Sequence, residues 1–99
     1  MIEKHNNLTE ESKFYIITNG VDDFGNLIYV TKFYFDNDND PIGTAECFDI
    51  SLALKVSDDK SSLLCLQNII SRCKFRNNFK IAKGRTTYEI IDFEIKDEL

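Results

Sequence analysis

The chain reads as an α+β domain: a small antiparallel sheet in the order β-β-β-α-β-β, with one helix packed on a face. Three observations predict it. Runs rich in aromatic and β-branched residues, several of period two, occur before residue 57 and again after 78. One segment between them switches to a helical period. Turn-forming residues fill the intervals. An antiparallel sheet covered by a helix is the two-layer arrangement that buries both apolar faces.

Residues 1–12 are polar and carry no apolar period, so they are expected as a loose N-terminal segment ahead of a single domain, 13–99. "KFYIIT", 13–18, is the first strand. "NGVDDFGN" is a turn, in which Gly25 supplies a positive φ. "NLIYVTKFYF", 26–35, is the second strand, with Leu27, Tyr29, Thr31, Phe33 and Phe35 on one face, and it closes an antiparallel hairpin with the first. "CFDISLALKV", 47–56, alternates over Phe48, Ile50, Leu52, Leu54 and Val56 and is expected as the third strand. A helical turn around Ile50 to Ala53, capped by Asp49, is the competing arrangement. In the helix, placed near 59–74, Leu63, Leu66, Ile70 and Cys73 recur on one side and Leu64 and Ile69 widen the stripe. Ser57 or Asp58 caps its start, and Arg72 and Lys74 suit its end. Phe79 and Ile81 suggest a strand, Lys83 and Gly84 a tight turn, and 86–95 the last strand.

A chain of 99 residues that is 42% hydrophobic is large enough for one core without staples. Cys47, Cys65 and Cys73 form no CxxC pair, and the odd count argues for reduced thiols rather than a disulfide framework. Zinc would need His5, the one histidine, as a distant fourth ligand. The N-terminus lacks the apolar core of a signal peptide, and no apolar run approaches the roughly 20 residues of a membrane span. The closing "KDEL" matches a retention address that is read only after entry into the secretory pathway. The expectation is a cytoplasmic protein.

The net charge of −5 hides a partition. Residues 20–59 carry nine acids and two bases, residues 60–88 carry seven bases and no acid, and residues 89–99 return to a net of −4. Two opposite surfaces are therefore candidates. "DNDNDP", 36–41, first suggests calcium. Counted from Asp36, the sixth position is Pro41 and the twelfth Cys47; counted from Asp38, Ile42 falls on the fifth. Neither register satisfies an EF-hand loop, so a solvated connection is expected and no metal. Asp23-Phe24-Gly25 echoes a kinase triplet without the other kinase parts. With no histidine beside a cysteine or serine in a folded element, no enzyme and no cofactor are expected.

Exposed carboxylates on turns can imitate phosphates and occupy a basic groove. The partner-binding candidates are Asp22, Asp23, Asp36, Asp38 and Asp40, with Asp58, Asp59, Asp92, Glu94, Asp97 and Glu98 as further members. The alternative is a nucleic-acid surface on Arg72, Lys74, Arg76, Lys80, Lys83 and Arg85, where cations interleave with Phe75, Phe79 and Tyr88. A third alternative is a self-associating module or homodimer, and ordinary mutual neutralisation of the two charge blocks competes with all of them.

In its length and acidity, and in "YIIT…LIYVTKFYF", then "DISLALKV" before a helix and a final "TTYEIIDFEI", the chain resembles small acidic accessory proteins of phages of low-GC bacteria. Some of those are anti-CRISPR or other anti-defence inhibitors. The resemblance implies a phage or mobile-element protein that binds and inhibits a host protein, such as a nuclease with a basic groove. It assigns no functional residue.

Overall fold

The computed structural model describes residues 2–95, with side chains over 9–89. The elements are β1 (Ile2–Val21), β2 (Leu27–Phe35), β3 (Pro41–Cys47), a 3-10 turn (Ile50–Leu52), β4 (Val56–Ser57), α1 (Lys60–Arg72) and β5 (Phe79–Ile95). The expected class holds: five antiparallel strands and one helix. "KDEL", Asp97 and Glu98 lie outside the described residues, as do the side chains of His5, Asp92 and Glu94.

β1 is the spine. One edge pairs with β5 from Ile2 opposite Ile95 to Asn19 opposite Phe79. Phe14 and Tyr15 also pair with β4, and Thr18 and Val21 with β2. Hence β4 and β2 follow one another along the other edge, and β3 lies outside β2. Alternation along β1 then feeds two small cores. Ile17 packs with Val30 and Leu66 beneath α1. Phe14 and Ile16 point to the opposite face and pack with Ala53 beside the 3-10 turn. Beyond Ser12 and Thr86 only β1 and β5 remain paired, as a two-stranded ribbon. The radius of gyration is 19.4 Å, against about 13 Å for a compact domain of this length.

Four expectations are corrected. Residues 2–12, expected to be loose, belong to β1: their hydrogen-bond partners are 86–95, a pairing no local pattern announces. The third strand is 41–47, not 47–56. In 47–56 the Asp49 carboxylate accepts from Ser51 N at 2.9 Å and starts the 3-10 turn, so Phe48, Ile50 and Leu52 are exposed despite their alternation. The competing arrangement, capped by Asp49, is the one formed. Lys83 and Gly84 make no turn, because β5 runs unbroken through them. In β2 the register slips between Val30 and Lys32, so the fully buried residue is Val30, while Leu27 and Phe35 of the expected stripe are exposed. The helix forms where expected, over Lys60–Arg72, with Asp59 rather than Ser57 or Asp58 as its cap, accepting from Ser62 N at 2.7 Å.

Three aspartates at such positions share a titration. Asn26, Ser51 and Ser62 donate backbone N–H groups to Asp22, Asp49 and Asp59 respectively, and each carboxyl is held below the ordinary aspartate value of 3.8. With folded values depressed, the unfolded chain binds these protons first. Their stabilisation is fully present above about pH 4 and is lost as the pH falls further. A thermal melt series is expected to show a falling midpoint below pH 4. Asp22→Asn, which keeps an oxygen acceptor but cannot titrate, should shallow that fall.

Candidate functional site

The five partner-binding candidates do not form one surface. Asp22 and Asp23 lie in the β1–β2 turn, whereas Asp36, Asp38 and Asp40 lie in the β2–β3 turn at the other end of β2. Nine residues of strand separate the turns by about 27 Å.

"DNDNDP" is a hairpin connection. Asp36 Oδ1 accepts from Asp38 N and Asp40 N, both at 2.9 Å, and Asn39 adopts a positive φ of 61°. This is the asparagine–aspartate turn chemistry that permits a left-handed residue. Asp40 faces Arg72 at the end of α1, with Oδ1 to guanidinium 3.4 Å, and Arg72 also donates to the Asn39 carbonyl. A shallow depression of about 350 Å³ between Asp36, Asp40, Arg72, Lys74 and Phe75 brings members of the two opposed candidate sets together. Here the acidic and basic blocks neutralise each other. Asp38 remains exposed.

The other end of the sheet differs. Asp22 Oδ1 accepts from Phe24 N at 2.9 Å and Asn26 N at 2.8 Å, and Gly25 takes the expected positive φ, 82°. The turn so braced presents Phe24, 90% exposed, with Asp23 beside it. Strand order β3-β2-β1 sets the end of β3 next to this turn. Val21 and Leu27, which flank the turn, are exposed, as are Phe48 and Ile50 after β3, with Asp49 between the last two. Loss of the expected strand over 47–56 is what leaves Phe48 and Ile50 exposed. Sequence reasoning missed these two because their alternation suggested a buried face.

The basic candidates also divide. Lys83 lies 3.7 Å from Asp58 and Arg85 lies 3.3 Å from Glu11. These exposed pairs are individually weak. Lys13, which the sequence reading did not single out, faces Arg85 across the β1–β5 ladder and lines a depression of about 290 Å³ with Lys83 and Gly84. Only the register could reveal it. Arg76 and Lys80 are exposed. Among the described residues no group of three His, Cys, Asp or Glu side chains is placed to hold a metal, and the three cysteines are free.

No helix among the described residues is long and apolar enough to cross a membrane. No protein-family model matches the chain, and comparison with curated proteins and with solved structures returns no match.

Proposed function

We propose that the chain is a non-enzymatic protein of phage or mobile-element type that binds and inhibits a host protein in the cytoplasm, and that it docks through the β1–β2 end of the sheet. The observation that carries this reading is Phe24, 90% exposed on the turn that Asp22 braces, with the exposed Asp23 beside it. A large aromatic side chain left almost wholly in water at the tip of a braced turn is suited to enter a partner's apolar pocket. An aromatic anchor beside an exposed carboxylate fits a partner with a cationic rim around an apolar pocket. A basic groove of a nucleic-acid-acting enzyme, CRISPR or otherwise, is one such surface. The Asp36, Asp38 and Asp40 turn contributes less, since Asp36 braces the turn and Asp40 faces Arg72.

The test is affinity capture from a nuclease-treated lysate of a low-GC bacterium, followed by assay of the captured protein. The wild type is expected to retain a host protein that salt releases and whose activity the purified chain lowers. Asp23→Asn with Phe24→Ser, which leaves the bracing Asp22 untouched, should lose it, and Asp38→Asn should keep it. Equal capture by the Asp23/Phe24 variant would overturn the docking surface. Retention only before nuclease treatment would favour a nucleic-acid reading centred on Lys13, Lys83 and Arg85.

A further inference from the structure

The outer edge of β5 is open along its 17 residues: among the described residues no strand pairs with it. Natural edges of that length are usually shortened, bulged or interrupted by proline. β5 contains no proline, and the one irregularity of its ladder lies in β1, between Lys4 and Asn6. What β5 has instead is charge in two halves. Lys80, Lys83 and Arg85 precede Thr87, and Glu89, Asp92 and Glu94 follow it.

Within the chain Arg85 lies 3.3 Å from Glu11 and Lys83 3.7 Å from Asp58, both exposed pairs, while Lys80 is exposed. The ladder sets Lys13 opposite Arg85. Like charges directly opposite weaken a strand pair. The ribbon beyond Ser12 and Thr86 has only two strands, and an isolated two-stranded ribbon is marginal in water. A second β5 laid antiparallel about Thr87 adds a strand to the open edge with opposite charges facing: Arg85 falls opposite Glu89 and Lys80 opposite Glu94. A parallel arrangement would put base on base and acid on acid.

We propose that two copies of this chain pair edge to edge through β5, antiparallel and centred on Thr87, to make one continuous sheet. The contact is isologous, so each charge pair occurs twice. Residues 90–95 of each copy then lie beside 79–84 of the other, and each ribbon gains a third strand from its partner. The open edge of β1 is the weaker alternative, because β4 closes it at Phe14. This inference is independent of the acidic docking end, since β5 carries none of the residues proposed there.

Analytical ultracentrifugation of the full chain tests it. The expected mass is twice 11.5 kDa, with dissociation promoted by salt. Arg85→Glu and Glu89→Arg, each first shown to keep the wild-type circular dichroism, should weaken association about tenfold or more. The two changes combined should restore it. Thr87→Cys in a Cys65→Ser background should form a covalent dimer on mild oxidation, because antiparallel opposed residues lie within disulfide reach. A monomer at every concentration, a dimer indifferent to both single changes, or a folded double variant that fails to recover would each overturn the proposal.

Discussion

Leu66→Ala is expected to be the most damaging single change among those considered, costing about 2–5 kcal/mol. Leu66 is 3% exposed and is the one buried residue of α1, packed with Ile17 and Val30. Ile70, partly buried, packs against the same cluster one turn later. Asp59 caps its start and Arg72 reaches the β2–β3 turn, but both contacts are open to solvent. Truncating Leu66 therefore leaves a cavity at the only place where helix and sheet share a fully buried centre. Chemical denaturation should show the midpoint falling sharply. Leu64→Ala is the control: it lies in the same sequence stripe but is 55% exposed, and the change should cost little. Similar losses for both would mean that the helix does not pack through Leu66.

The second large effect is expected for Gly84→Ala, at about 1–3 kcal/mol. A Cβ built on Gly84 would stand 2.5 Å from Cε2 and 2.9 Å from Cζ of Phe14. The ring cannot step aside freely, because Phe14 is itself buried against Ile16 and Ala53. The loss from overpacking opposes the gain of about 0.4–1 kcal/mol that an alanine brings by restricting the unfolded chain, and it should win. Gly43→Ala, where nothing lies within 4 Å, should be close to neutral. Adding Phe14→Leu to Gly84→Ala should recover part of the loss in a double-mutant cycle. An additive cycle would mean that the two residues do not share this space.

The same glycine shows where reading the sequence falls short. Lysine followed by glycine is ordinarily a turn signal. Gly84 lies in mid-strand because an aromatic ring from a residue 70 positions earlier lies across it. The stretch 47–56 misleads in the opposite way. Its alternation is genuine, but the Asp49 carboxylate captures Ser51 N and turns the chain before a strand can form. The docking end proposed above is by contrast local: Asp22, Asp23 and Phe24 are consecutive, and Asp22 braces their turn.

By itself the sequence determined the class of fold, the first hairpin with its Gly25 turn, and the helix. Each is governed by interactions within a few residues: alternation, a positive φ, a cap and an apolar stripe. Tertiary structure alone decided that β1 and β5 run on as a ribbon, that Lys13 faces Arg85, and that Asp40 of "DNDNDP" meets Arg72. It also separated the five candidate aspartates into two ends of one sheet. Those outcomes depend on register between segments as much as 93 residues apart, from Ile2 to Ile95. Strand register is set by which faces become buried together, and no local pattern carries that information.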